Sequence, residues 1–346
     1  MPVAVSRPEH DFVSTSFACW IKLRYMRPFN NPNRISRTGG LIFWASCCAL
    51  AGGNGLAETA RIETLKRMSI DDLANLEVSI VSGRPERLGD TAAAVFVITD
   101  EDIRRSGATN LPEVLRMVPG VEVARANTMD WAVGIRGFND QFANKLLVLV
   151  DGRSVYSPLF SGVLWDAQNI VLQDVERIEV IRGPGASTWG ANAVNGVINI
   201  ITKRAEDTQG GYVSGVVGNR QQEAVARFGG RLSEGGHYRV YAKAHQQDPL
   251  SAIPGSSSPE TDWRGARAGF RADWRSGATD LMLWGEVYRG ASDEGQPNGG
   301  HLQGRWENRR SDGSLDTLQA YVERFDLVDW SEGEMRGKSA LDIVDL

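Results

Sequence analysis

The residue types that most often carry chemistry are sparse in this chain and poorly placed for it. The four histidines, His10, His237, His245 and His301, show no metal-ligand spacing. His237 and His245 are eight residues apart in one alternating stretch, so they share one face of a strand rather than surround an ion. Asp151 invites a carboxylate mechanism, but Asp-Gly directly after the apolar run 146–150 is better read as a strand-ending turn. Gly183-Pro-Gly185 with Gly190 has the glycine content of a phosphate loop. No Gly-Lys-Ser/Thr follows, however, and the next segment reads as a strand where a nucleotide site needs a helix. No metal centre, cofactor or catalytic residue is expected, and the chain reads as a non-enzyme. The three cysteines, Cys19, Cys47 and Cys48, all lie in the first 48 residues, so the remainder folds without thiol chemistry, which suits an exported protein. A net charge of −5 offers no basic excess for nucleic acid.

The elements that must position whatever site exists are more informative. Residues 175–203 form two strands joined by a glycine-rich connector. Val175, Ile178, Val180 and Ile181 alternate with Glu176, Arg177, Glu179 and Arg182. Val194, Val197, Ile198, Ile200 and Ile201 make a nearly continuous apolar run, so that strand is expected to be covered on both faces. Upstream, 95–99 reads as a strand, and Thr99-Asp-Glu-Asp102 opens a helix with acidic residues at its positive end. Asn110-Leu-Pro112-Glu113 opens a second helix, with Pro119-Gly120 as its end. Further strands are predicted at 121–125, 132–136 and 145–150, which together make a small α+β domain. From Gly211 the texture changes to long alternating strands. Ala266, Ala268, Phe270, Ala272 and Trp274 share one face, against Arg267, Arg271 and Asp273. Tyr238, Val240, Ala242 and Ala244 oppose Arg239, Tyr241, Lys243 and His245. An apolar outer face with a charged inner face over about ten residues is what a transmembrane β-barrel requires.

At the N-terminal side, Arg34 and Arg37 precede a short apolar stretch, 40–51, and Gly55-Leu-Ala57 follows. This predicts a secretory signal peptide cleaved after Ala57, with 1–25 a misassigned start upstream of Met26. A short helix is predicted over 62–76, begun by Ser69.

Several motifs then occur in a telling order: Arg-Pro-Glu (84–86), 95–104, 111–121, Gly-Ile-Arg-Gly-Phe (134–138), Val-Leu-Val-Asp-Gly-Arg (148–153) and 175–203. The series resembles the plug domain of TonB-dependent outer-membrane receptors and covers about 77–205. The resemblance implies an upstream extension and signal peptide over 1–57, an N-terminal segment over 58–82, a plug over 83–205 and barrel strands over 206–346. The fold class expected is an α+β plug followed by antiparallel transmembrane β-barrel strands. Family members plug a barrel of about 22 strands, whereas 206–346 has room for only about seven or eight of ~10 residues each. The barrel is therefore expected to be incomplete in this chain, and the chain to be an N-terminal part of a receptor.

The resemblance further implies active import of a scarce ligand, a ferric siderophore or a cobalamin-like compound, across the outer membrane. The partners it implies are a TonB-type energy-coupling protein with its inner-membrane motor proteins, and outer-membrane lipid. The segment Glu77, Val78, Ser79, Ile80, Val81 and Ser82 resembles the TonB box, which would offer a strand to the partner by β-augmentation; the alternative reading is the first plug strand. Arg136 and Arg182 correspond to the arginines that seat the plug against glutamates of the inner wall, on strands later than those present here. Substrate contacts are implied for Arg125, Asn127, Trp131, Tyr156, Phe160 and Trp165, residue types that also fill plug–barrel gaps. Gly137, Gly152, Gly183, Gly190 and Gly196 are expected to be structural. The reading from a different class is a non-transporting periplasmic binding or signalling module built on the plug alone.

Overall fold

The computed structural model describes residues 77–78, 86–91, 93–125, 127–128, 130–190, 192–249, 262–292, 295–331 and 334–345. The expected signal peptide, the helix over 62–76 and Ser79 to Ser82 lie outside the described residues.

The plug is assembled from short elements with clear local causes. Strands β1 (Glu77–Val78) and β2 (Glu86–Arg87) make a two-residue antiparallel ladder. Strand β3 (Val95–Thr99) runs into helix α1 (Asp100–Ser106). Thr99 caps α1 through a reciprocal box with Asp102, and Gly107 ends it at φ 69°. Helix α2 (Leu111–Leu115) is capped by Asn110, whose Oδ1 accepts from Glu113 N at 3.0 Å. It stops at Leu115, and the chain then coils through turns as far as Pro119-Gly120. Strands β4 (Val121–Arg125) and β5 (Trp131–Ile135) form a hairpin. Strands β6 (Leu146–Val150) and β7 (Arg153–Ser154) form a second, and β8 (Tyr156–Ser157) and β9 (Gly162–Val163) a third. After β10 (Val175–Ile181), a single helical turn α3 (Ala186–Trp189) leads to β11 (Gly196–Thr202).

The central plug sheet has the order β3-β10-β11-β6-β7. Strand β11 is antiparallel to β10 and parallel to β6, so it is central, as its nearly continuous apolar run predicts. Glycine is needed at Gly196 because a Cβ there would lie 2.6 Å from both Ile135 Cδ1 and the Ile181 carbonyl oxygen.

Eight further strands form one antiparallel meander: β12 (Gly210–Val217), β13 (Gln221–Ser233), β14 (Gly236–Gln247), β15 (Trp263–Ser276), β16 (Thr279–Ala291), β17 (Gly295–Arg309), β18 (Leu315–Ser331) and β19 (Glu334–Asp345). The sheet is open, with β12 and β19 on its two edges. Its faces divide as the alternation predicts. Arg239, Tyr241, Lys243, Arg267, Arg271 and Asp273 are buried on the inner face, while Val213, Val217, Phe228, Val240, Phe270, Val287 and Leu318 are exposed on the other. The plug core of Ile98, Leu111, Val114, Ile135, Val148, Ile178, Ile198 and Ile200 is continuous with Met282 and Trp284 of β16. Plug and wall therefore share one apolar core, each full burial in it contributing about 1.5–3 kcal/mol.

Candidate functional site

The inner face of the wall meets the plug along a seam of buried charge. Its centre is the β6–β7 turn, where Asp151 and Gly152 hold φ of 47° and 83°, the two left-handed residues of a type I′ hairpin. The turn directs the Asp151 carboxylate into the wall. Oδ1 accepts from Thr202 N at 2.9 Å, and Oδ2 accepts from Thr202 Oγ1 at 2.7 Å and Arg271 Nη1 at 2.9 Å. The Asp151 carbonyl accepts from Gln303 Nε2 at 2.7 Å. The rest of the Arg271 guanidinium is held by Asp273 at 2.9 and 3.0 Å, and Asp273 also accepts from Ala205 N at 2.7 Å.

The same logic repeats along the seam. Asp174 pairs with Arg227 and stands 3.5 Å from Arg239 Nε. Arg239 also donates to the Lys203 carbonyl and to Thr202 Oγ1. Lys243 Nζ reaches Glu223 at 3.1 Å, Asn169 Oδ1 at 2.8 Å and the Ile170 carbonyl at 3.2 Å. Arg267 pairs with Glu286 at 2.8 Å and donates to the Ala167 carbonyl at 3.2 Å. On the far side of the turn, Arg153 pairs with Glu323 at 2.6 Å. A buried charge is tolerated only when paired and hydrogen-bonded, so plug atoms complete the inner face of the wall. The inward charges of β14 and β15 were readable as a charged face. Their plug partners Asp151 and Asp174 were not, because they are distant in sequence.

Arg136 and Arg182 are placed elsewhere. Arg136 Nη2 donates to the Arg182 carbonyl at 2.5 Å, and Arg182 Nη1 to the Pro119 carbonyl at 3.2 Å. Among the described residues no hydrogen bond or ion pair joins either to the eight wall strands. They tie the ends of β5 and β10 to the loop after α2. Of the glycines singled out, Gly137, Gly152 and Gly190 have positive φ and Gly196 is required by space. Gly183 meets neither condition: its φ is ordinary, and a Cβ would meet only the Arg136 guanidinium at 3.6 Å, a normal contact.

The residues expected to touch substrate fall into two groups. Arg125, Trp131 and Trp165 line a cleft between plug and wall with His245, Gln247 and Trp263; its enclosed space is about 30 Å³, room for a water or two. The Arg125 guanidinium lies 5.0 Å from the Trp131 ring centroid and donates to the Asn127 and Thr128 carbonyls at 3.1 and 2.6 Å. Asn127 closes this turn with Asp130, its Nδ2 donating to Oδ2 at 2.8 Å. Burial pushes the Asp130 carboxyl up. It pushes Asp166, which also lines the cleft, well above the usual carboxylate range, with the negative charge of Asp130 adding to the effect. Trp131 and Trp165 are themselves buried and belong to the shared core. Tyr156 and Phe160 sit at the β8–β9 hairpin, where Phe160 stacks on Phe142 at 5.5 Å and meets Phe325 of the wall edge-on at 6.1 Å. Among the described residues, no group of three or more His, Cys, Asp and Glu side chains is arranged to hold a metal ion.

A small α+β domain locked by buried ion pairs onto the charged face of an antiparallel sheet, whose other face is apolar, is the construction of a plugged β-barrel receptor. Residues 87–197 match the family described as TonB-dependent Receptor Plug Domain. Residues 87–197 are thus a plug domain of the kind found in TonB-dependent receptors, and eight antiparallel strands follow it. It is 33% identical over 222 residues to the ferric enterobactin receptor PirA of Pseudomonas aeruginosa, a match covering 58% of this chain and 29% of that protein. It is 37% identical over 154 residues to the vitamin B12 transporter BtuB of Vibrio vulnificus, covering 43% and 24%. The siderophore receptor PirA of Acinetobacter baumannii has the same fold at a TM-score of 0.58 and 19% identity, over 72% of this chain and 44% of that one. The ferripyoverdine receptor of Pseudomonas aeruginosa does so at 0.58 and 15%, over 77% and 39%. The chain thus spans less than a third of the length of these curated relatives.

Proposed function

We propose that the chain acts in the outer membrane as the plug and adjoining wall of a receptor that imports a scarce ligand, a ferric siderophore or a cobalamin-like compound. The observation that carries this reading is the seam. The inner wall presents Arg227, Arg239, Lys243, Arg267 and Arg271 to plug atoms rather than to water, while the opposite face presents valine, leucine and phenylalanine. An apolar outside with a plugged, charged inside suits a sheet bathed in lipid. The cleft is lined by Gln247 and Trp263, the strand ends that 248–262, the longest connection between wall strands, joins in sequence. Longer connections of outer-membrane barrels face the exterior, so the cleft faces incoming ligand. Work on the plug is supplied by a TonB-type protein pairing with the strand that begins at Glu77. Val78 is buried in the two-residue ladder with β2, and so short a ladder gives way at little cost.

Arg136 and Arg182 serve in this reading to hold the plug together beside any further wall. Expression in a Gram-negative host tests the proposal. The chain is expected to resist carbonate extraction, migrate differently before and after heating, and support ligand uptake that disappears when the host lacks its TonB protein. Extraction into the soluble fraction would instead identify a periplasmic module.

A further inference from the structure

On strands β15 to β18 the apolar face of the wall carries three arginines, and they fall on one line. Arg264 on β15 shares that face with Phe270, Arg289 on β16 with Val287, and Arg324 on β18 with Val322. The register joins Ala268, Val287, Gly300 and Arg324 along one ladder line. Measured towards the 248–262 end, Arg264 lies four residues above that line on its strand, Arg289 two residues above it, and Arg324 on it. From β15 to β18 the row therefore falls by about 13 Å along the strands while crossing about 14 Å of sheet, a slope of roughly 43°. Strands of membrane barrels tilt by about 35–45°, so a row inclined in this way to the ladder runs level with the membrane plane. The short turns at the other end step in the same direction: their closing pairs, Ser233–Gly236, Ser276–Thr279 and Arg309–Leu315, lie successively further below the same ladder line. Depth agrees as well. Ten residues below Arg264 the same face reaches Trp274, and about 33 Å of strand at that tilt spans about 24 Å, the height of the apolar band between the two interfaces of such a barrel.

Resting on the placement of the wall in the outer membrane, we infer that this row marks the exterior lipid boundary and that Arg264 and Arg289 hold phosphate groups of outer-leaflet lipid. The row rises to the end of β15 that the 248–262 connection joins, the exterior end. An arginine on a lipid-facing side is costly at mid-depth and tolerated at an interface, where its guanidinium fork matches a phosphate. Arg264 pairs with Ala291, two residues along β16 from Arg289, so the two arginines are diagonal neighbours and both can reach one headgroup. Arg289 is exposed, and among the described residues its guanidinium has no hydrogen-bond or ion-pair partner. Arg264 is met by Asp262 at 2.8 Å, a surface pair that yields readily to a phosphate. Arg324 closes the row but is held by Asp326 at 2.9 Å and Asp342 at 3.5 Å.

The test is native mass spectrometry of the full chain in detergent, with equal amounts of a bis-phosphorylated glucosamine lipid (lipid A) and of phosphatidylcholine. Lipid A is expected to be retained about fivefold or more over phosphatidylcholine, and Arg264→Gln combined with Arg289→Gln to bring that ratio within about twofold. Arg275→Gln, which removes an exposed arginine at the opposite end of β15, should leave the ratio unchanged. No preference in the unaltered chain, a preference kept by the double variant, or an equal loss in Arg275→Gln overturns the inference and leaves the receptor reading standing. A chain that retains neither lipid and is extracted by carbonate overturns both.

Discussion

Asp151 joins the plug turn at the centre of the seam to the wall, through Arg271 and Gln303. Its left-handed backbone points the carboxylate at the wall, where Arg271 donates to it, while Thr202 of the plug donates twice. Replacing it with alanine removes a turn-former and leaves the buried Arg271 with Asp273 as its remaining carboxylate beside the Thr202 hydroxyl, a loss expected to cost about 3–5 kcal/mol. Asparagine tolerates the same backbone and keeps an acceptor for Thr202, so Asp151→Asn should cost clearly less. Urea unfolding midpoints of the two variants check the order, and alanine no worse than asparagine would remove Asp151 from the centre of the seam.

Asp166 behaves in the opposite sense. Its carboxyl is raised above the ordinary 3.8 by burial, so the folded state holds the proton more tightly than the unfolded one. Its contribution to stability is full below the unfolded value and declines as pH rises through the folded value. Asp166→Asn is therefore expected to be more stable than the unaltered chain at neutral pH, with the difference vanishing in acid below about pH 4. Unfolding measured across that range checks the sign, and a variant less stable at neutral pH would contradict it.

At the scale of elements, local signals place most of the plug. The Thr99 box, the Asn110 cap and the Asp-Gly hairpin each lie within a few residues of the structure they cause. Asn110→Ala should accordingly cost about 1 kcal/mol in chemical denaturation. The short reach of such signals also explains where they stop. Pro119-Gly120 marks the end of a turn region, while α2 itself ends at Leu115, because tertiary packing of Val114, Leu115 and Val118 into the core settles that coil. Central strand β11 depends on a contact that no local signal shows, the approach of Ile135 and the Ile181 carbonyl to Gly196. Since a backbone carbonyl cannot step aside as a side chain can, Gly196→Ala is expected to cost about 1–3 kcal/mol. A loss below that range would mean the sheet adjusts.

At the scale of the molecule, the eight wall strands carry an apolar face that is exposed among the described residues. Val240 is 46% exposed on that face, between neighbours Phe228 and Phe270 on adjoining strands. In lipid, Val240→Arg should cost about 2–4 kcal/mol near the bilayer midplane and about 0–1 kcal/mol near an interface. Folding into vesicles measures this, and a cost near zero at this mid-strand site would speak against lipid on that face.

The repeating features of this protein follow from short-range sequence patterns. Period two along 236–276 sorted charged from apolar faces, capping residues marked the helices, and the ordered motifs from 84 to 203 identified the plug. These are properties of neighbouring residues, and backbone geometry converts them directly into faces and ends. Only the tertiary structure decided which charges meet. Arg271 is 120 positions from Asp151, and Arg227 is 53 from Asp174. No spacing rule links such residues, because their pairing follows from where a folded plug comes to rest against a folded wall. For the same reason Arg136 and Arg182 could be singled out as arginines, but their carbonyl partners became visible only once the ends of β5 and β10 and the loop after α2 came together.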